Sequence, residues 1–462
     1  MFGPEKHHFK PNWLEWPIDR RDRTFRVYVV EPRTVCPENH PSIFRAAFQL
    51  FMPAAEPEYL GEATRPGFDA PPVPVDRFDL LTFPEAFLPS DTLIEVLTQI
   101  GQAAPTIGCV HTGLRPAGID ANATHLFPLE DLRKLVQELG GIPGLAADDL
   151  VQFKGWLAEQ KVTDRFNIGC LFTVDAAGKL RICLHPKFIR SQFEISPEHE
   201  RDMTEANLLS LVTLRPTQQH LLPITIQPLI CSDILNLPTD DPSRNHPIEG
   251  VTSDRSCFSA MYSDHVEIVS VATCTPTSKA GHESFQLEWH QKFLDSFRHA
   301  AADDQCRRHH FAAFVLSNFR YFAQSRLGET PGGLSGVFIP LPVYSNPFQE
   351  YVTRPPSILG RFPREAHDAG KEERWNSSSV NWNALQETPI LGYLVSLDPE
   401  TSKDQASATL FGFKVTNLPR DANRWLRRGS ISNFSIHHAT TSPSDNGQPH
   451  IEFKPLKQRG SS

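Results

Sequence analysis

Long uninterrupted apolar runs are missing from this 462-residue chain. No segment approaches the roughly 18 residues that a membrane-spanning helix needs, so no membrane partner is expected. The stretch Met1-Phe2-Gly3-Pro4-Glu5-Lys6-His7-His8 has no apolar core of the secretory kind, which reads as a cytoplasmic protein. An excess of positive charge is missing too. The formal net charge is −9 and the pI is near 6.1, so no direct affinity for nucleic acid is implied. Cysteine is sparse. The eight residues, at 36, 109, 170, 183, 231, 257, 274 and 306, form no CxxC pair. Most sit in apolar strand-like runs, which argues for reduced thiols and against a disulfide framework or zinc site.

Cofactor and metal motifs are absent as well. There is no GxGxxG and no Walker A sequence, and Gly332-Gly333 lacks the following lysine of a phosphate loop. There is no HExxH and no EF-hand loop. The 19 histidines include the adjacent pairs His7-His8, His309-His310 and His437-His438. Neighbours in a helix or strand point apart, so these pairs are not built to share an ion. No cofactor and no metal is expected.

What the chain does have is three apolar-flanked segments that each deliver one reactive side chain. They are Leu81-Thr82-Phe83-Pro84-Glu85, His185-Pro186-Lys187 and Pro228-Leu229-Ile230-Cys231-Ser232-Asp233. Phe78 to Phe83 reads as a buried strand, and Pro84, lacking an N–H, should stop its pairing and present Glu85 at the strand end. Leu221 to Ile230 reads as another strand, with Cys231 at its end. Taken singly, these are a turn glutamate, a surface lysine and a small core cysteine. Together they form a chemically complete set. A carboxylate can take the thiol proton, the thiolate can attack an amide or nitrile carbon, and a fixed ammonium with a backbone N–H near Cys231, such as that of Ser232, can stabilise the charge that develops.

The rest of the chain alternates strand and helix patterns, which argues an α/β fold. Residues 1–23 read as an N-terminal arm, and Thr24 to Val30 as a first strand. Residues 53–76 are rich in proline and glycine and read as a loop. Thr92 to Ala103 has helical apolar spacing, and Ile107 to Leu114 is strand-like. Two helical patterns, Leu129 to Leu139 and Ala147 to Gln160, form an insertion at about 120–162 that reads as packing filler rather than a lid. Residues 237–255 read as a loop that can line a pocket, and 343–387 as a loop or linker. Residues 388–462 read as a C-terminal extension, either an appendage or strands added to the main sheets.

These motifs resemble the nitrilase, or carbon–nitrogen hydrolase, superfamily. Phe83-Pro84-Glu85 and Ile230-Cys231-Ser232-Asp233 match its first and third sites, and Lys187 lies between them in the same chain order. Phe166 to Leu184 resembles the hairpin leading to the lysine. Val266 to Ala272 resembles the strand after the nucleophile, Trp289 to Ala302 the next helix, Arg308 to Asn318 a helix end and strand, and Gly332 to Ile339 a late strand. Coverage runs over 24–342. The chain departs from the pattern in having Ser232 in place of the usual aromatic and His185-Pro186 before the lysine. Its gaps of 102 residues from Glu85 to Lys187 and 44 from Lys187 to Cys231 are also longer than in compact members.

The resemblance implies a four-layer α-β-β-α sandwich and a homodimer or higher homo-oligomer. It also implies hydrolysis of an amide, nitrile or carbamoyl compound, with Cys231 as nucleophile, Glu85 as general base and Lys187 as oxyanion stabiliser. A second, substrate-positioning glutamate is expected after the lysine, with Glu194 the leading candidate and Glu198 and Glu200 competing. The departures motivate an alternative, a nitrilase-fold scaffold within a multi-protein assembly, such as an antiphage system, with little or no hydrolysis.

Overall fold

The computed structural model describes residues 10–20, 24–32, 39–51, 78–103, 107–118, 125–188, 194, 203–236, 266–274, 313–319, 335–340, 359–361, 390–394, 406–416, 430–442 and 450–455. The first strands are β1 (Lys10–Ile18) and β2 (Phe25–Pro32), followed by helix α1 (His40–Gln49). Then come β3 (Leu80–Thr82), the short β4 (Leu88–Pro89), α2 (Ser90–Ala103) and β5 (Ile107–Arg115). An excursion follows, made of β6 (Phe127–Pro128), α3 (Leu129–Gly140), a 3-10 turn at Ala147–Leu150, α4 (Val151–Ala158) and β7 (Arg165–Phe166). The hairpin β8 (Ile168–Val174) and β9 (Leu180–Pro186) precedes β10 (Leu208–Pro216), β11 (Ile224–Ile230) and β12 (Val266–Ala272). The described remainder is strand: β13 (Ala313–Ser317), β14 (Gly336–Pro340), β15 (Leu359–Arg361), β16 (Ile390–Leu394), β17 (Ala406–Thr416), β18 (Ser430–Ser442) and β19 (His450–Pro455).

The strands form two large sheets. One has the order β1-β10-β11-β12-β13-β14-β16-β15, the other β19-β18-β17-β2-β3-β5-β8-β9, with β4 beside β5. Successive side chains on a strand point to opposite faces, and β2 shows the consequence. Val27 and Val29 join Trp16, Leu80, Leu171, Val212, Ile268 and Phe411 in a core between the sheets. Tyr28 and Val30 face the other way, into a second core that also takes in Phe44, Leu97, Leu132 and Phe153 of the helices. A strand buried on both faces reads as a continuous apolar run, and β2, β8 and β11 do.

The helices follow from their sequences. In α3 the buried residues Leu129, Leu132, Leu135, Val136 and Leu139 recur at helical spacing, Glu130 and Asp131 sit in the first turn, and Gly140-Gly141 closes the end. The two-sheet α/β architecture that the motif resemblance implies is thus the one observed, with helices on the outer face of the second sheet. The helix expected at 289–302 lies outside the described residues. So do the loops at 53–76 and 237–255 and, apart from β15, the linker at 343–387.

Three features differ from the reading of the sequence. Residues 10–18, taken with the arm, form β1, which pairs along its whole length with β10. Leu14, Trp16 and Ile18 alternate inward, while Pro11 and Pro17 are tolerated because β1 is an edge strand. The prolines hid the period. Residues 406–455 are not an appendage. β17 pairs with β2 near the middle of the second sheet, so strands added to the main sheets is the alternative observed. Helix α1 was not anticipated.

Candidate active site

Glu85 reaches its place because strand pairing changes hands at Pro84. Phe83 N–H still donates to His111 O (2.8 Å), and Pro84 O accepts from Gly113 N–H (2.9 Å). Glu85 N–H then crosses to Thr273 O of the other sheet (3.3 Å). Ala86 follows with φ +52, turning the chain away. The turn passes so close to β5 that a Cβ on Gly113 would lie 2.3 Å from Ala86 N, and only glycine fits there.

Lys187 ends β9. Its N–H donates to Asn167 O (2.9 Å), which ties the lysine to the residue that opens the hairpin. Cys231 follows β11 in the left-handed region at φ +44, a strained conformation for a non-glycine residue. It opens a 3-10 turn, Cys231–Asn236. Asp233 in that turn accepts from Ile230 N–H (3.1 Å) and from Phe188 N–H (2.9 Å). One buried carboxylate therefore holds the Cys231 turn and the residue after Lys187 together.

The side chains converge. Lys187 Nζ donates to Glu85 Oε1 (3.0 Å) and to Glu194 Oε2 (2.8 Å). Asn167 Nδ2 donates to Glu85 Oε1 (2.6 Å) and to Glu194 Oε1 (2.8 Å). Cys274 N–H donates to Glu85 Oε2 (3.0 Å). Glu85, Lys187, Glu194 and Cys231 are all buried. His125 Nε2 stands 3.2 Å from Glu194 Oε1 at the edge of the cluster. Of the four residues expected to act together, the structure brings all four to one place. Ser232 is buried beside Cys231. The Cys274 N–H, which donates to Glu85, also helps hold the thiol down. Glu198 and Glu200 lie outside the described residues.

The electrostatics follow from burial and these contacts. Burial opposes charge on Lys187, but the carboxylates of Glu194 and Glu85 outweigh it and hold the ammonium well above its ordinary range. For Glu194 burial works against ionisation, yet Lys187 and the hydrogen bond from His125 hold its carboxyl below the usual range. Burial pushes the Cys231 thiol well above its ordinary value, Glu85 adds to the shift, and Lys187 and the Cys274 N–H oppose it. The thiol at rest is therefore protonated, and a nucleophile forms only as the proton leaves. Glu85, His125 and Glu194 offer ligand atoms within 4.8 Å of one another. The Lys187 ammonium already sits between the two carboxylates as their counter-charge.

Beneath the cluster lies a second, neutral polar layer. His111 Nδ1 and Ser270 Oγ are 2.7 Å apart, and His111 Nε2 and His185 Nε2 are 3.1 Å apart. One imidazole must donate and the other accept, so the two cannot both be charged. Burial lowers His111 to about 3 and His185 well below its ordinary value. The ring of His185 lies flat on Gly169, where a Cβ would come 2.3 Å from Nε2.

Asn167, Asp233 and His125 were not anticipated as site residues. A polar residue inside the apolar run Phe166-Asn167-Ile168-Gly169-Cys170-Leu171-Phe172 was the available signal for Asn167. His125 had none, since nothing near it in sequence bears on the triad.

No protein-family model and no curated protein matches the chain. Among solved structures it is similar to an amidase from Nesterenkonia sp., at 10% identity over 69% of this chain and 84% of the amidase, with a TM-score of 0.31. It is similar to a carbon-nitrogen hydrolase from Helicobacter pylori G27, at 9% identity over 68% of this chain and 82% of that one, TM-score 0.35. An N-terminal amidase solved with a Gln-Gly peptide is similar at 10% identity, over 68% of this chain and 89% of its own, TM-score 0.34. The roles of individual residues rest on the geometry above and not on these likenesses.

Proposed function

We propose that this protein hydrolyses a non-peptide carbon–nitrogen bond of a small amide, nitrile or carbamoyl compound through a thioester on Cys231. The observation that carries the reading is the meeting of Glu85, Lys187 and a left-handed Cys231 from three strand ends in one water-poor cluster. For an amide, Glu85 takes the thiol proton as Sγ bonds to the carbonyl carbon. Negative charge moves to oxygen, where the Lys187 ammonium and the backbone N–H groups of Cys274 and Ser232 stabilise it. The C–N bond then breaks, and the proton held by Glu85 goes to the leaving amine. Water, deprotonated by Glu85, attacks the thioester, the acid leaves, and the proton returns to sulfur. Glu194, fixed by Lys187, Asn167 and His125, positions the substrate. No cofactor enters these steps. The remaining proposals follow the family pattern, a homodimer or higher homo-oligomer in the cytoplasm.

The test is the pH dependence of Cys231 labelling by iodoacetamide, read by mass spectrometry in wild type, Glu85→Gln and Lys187→Ala, beside a screen of amides and nitriles. A Cys231 that outpaces the other thiols and loses that rate in both variants supports the reading, as does turnover abolished by Cys231→Ala. Full turnover in Cys231→Ala would sink the thioester route, and labelling indifferent to both substitutions, with no turnover, would favour the scaffold alternative.

A further inference from the structure

The excursion between β5 and β8 stands on two feet. β6 and β7 pair antiparallel, Phe127 opposite Phe166 and Pro128 opposite Arg165, and Leu129 N–H continues the ladder to Asp164 O at 3.3 Å. The residue after the second foot is Asn167, which holds both carboxylates of the cluster. Two residues before the first foot is His125. The clamp that anchors the helices thus brings an imidazole to the carboxylate oxygen that Asn167 also bonds, with Nε2 3.2 Å from Glu194 Oε1. Beneath that ring everything is closed to water. The side chain of His125 is 35% exposed and that of Glu194 only 1%, while Lys187 and Glu85 stand at 1% and 5%. Among the described residues of the cluster, His125 and Cys274 are the two partly exposed ones, and His125 is the one whose side chain bonds a charged group there.

We infer that His125 is a specificity-determining residue of this site, a ring in the wall of the entrance that selects substrates by the bulk of the group attached to the scissile carbon–nitrogen unit. The inference rests on Cys231 being the nucleophile of the same site. It makes the excursion part of the site, in place of the filler read from the sequence. A small amide passes the ring, and a bulky one meets it while its reacting carbon is still short of the thiol. Because the ring also bonds Glu194, its place is fixed rather than yielding.

Full-length protein treated with iodoacetamide and with N-phenyl iodoacetamide tests this, with the rate at Cys231 read by mass spectrometry. The readout is the ratio of the phenyl to the unsubstituted rate, in which a general loss of reactivity cancels. The ratio is expected to rise about tenfold in His125→Ala and to fall by a similar factor in His125→Trp. Opposite shifts are not produced by loss of stability alone. A ratio unmoved in both variants would overturn the inference, as would a folded wild type whose Cys231 takes up neither reagent. Failure of the hydrolase reading shows separately, as a Cys231 rate unchanged by Glu85→Gln whatever the ratio does.

Discussion

At Lys187 two carboxylates approach one ammonium, Glu194 at 2.8 Å and Glu85 at 3.0 Å, with all three side chains nearly closed to water. Removing one partner of such a set leaves charge buried without compensation, which costs far more than losing a surface ion pair. Lys187→Met is accordingly expected to lower the unfolding free energy by about 3–5 kcal/mol in urea titrations. A loss under about 1 kcal/mol would mean that water or protons compensate the carboxylates. The histidine layer gives a second expectation. His111 is held at about 3 in the folded state, whereas an unfolded histidine titrates near 6.5. Between those values the unfolded chain binds more protons, so the contribution is whole above about pH 6.5 and shrinks as pH falls toward 3. Glu194, held low when folded, loses its own contribution only below the ordinary carboxylate range. Urea midpoints should therefore begin to fall between about pH 6.5 and 5, before Glu194 is involved. A flat midpoint across that window would mean the imidazoles are charged in the native state.

At the scale of elements, the site depends on how strand ends are tied across the two sheets. Asp233 links the turn after β11 to Phe188, just past Lys187, through two buried N–H groups. Asp233→Ala strands both donors and is expected to cost about 2–4 kcal/mol. It should also slow Cys231 labelling, because the left-handed turn loses its brace. Loss of stability with labelling unchanged would show that the turn holds its shape without Asp233. Gly169 serves the layer below. A methyl there meets the His185 ring at 2.3 Å, and β8 cannot retreat because β5 and β9 flank it. Gly169→Ala is expected to destabilise by about 1–3 kcal/mol, read as a lower Tm.

Across the whole molecule, a strand from late in the chain is built into the interior of a sheet that starts near its beginning. β17 separates β2 from β18 and buries Leu410, Phe411, Phe413 and Val415. A chain cut after residue 387 would expose the edge of β2 and remove Phe411, Phe413 and Val415 from the inter-sheet core. It is expected to aggregate rather than fold. Soluble, cooperatively unfolding protein from that truncation would show the C-terminal strands to be dispensable. The same placement explains why 388–462 could be read either way from sequence. A strand's pattern fixes that it is a strand, while its neighbour in a sheet is set by contacts hundreds of residues away.

The local sequence determined where strands stop and which side chains they deliver. Pro84 lacks the donor that would extend β3, and Glu85, Lys187 and Cys231 each follow an apolar run, so three strand ends and their chemistry were legible in the order of residues. Helix spacing placed α2 and α3 to within a residue or two, because a buried face of 3.6-residue period is a local property. β1 stayed hidden, since Pro11 and Pro17 blur a period that only its edge position makes harmless. Only the tertiary structure decided which polar groups meet. Asn167 contacts Glu85 across 82 residues and Glu194 across 27, and His125 reaches Glu194 across 69. Such pairings follow from sheet register and the packing of one sheet on another, and a short window of sequence holds neither.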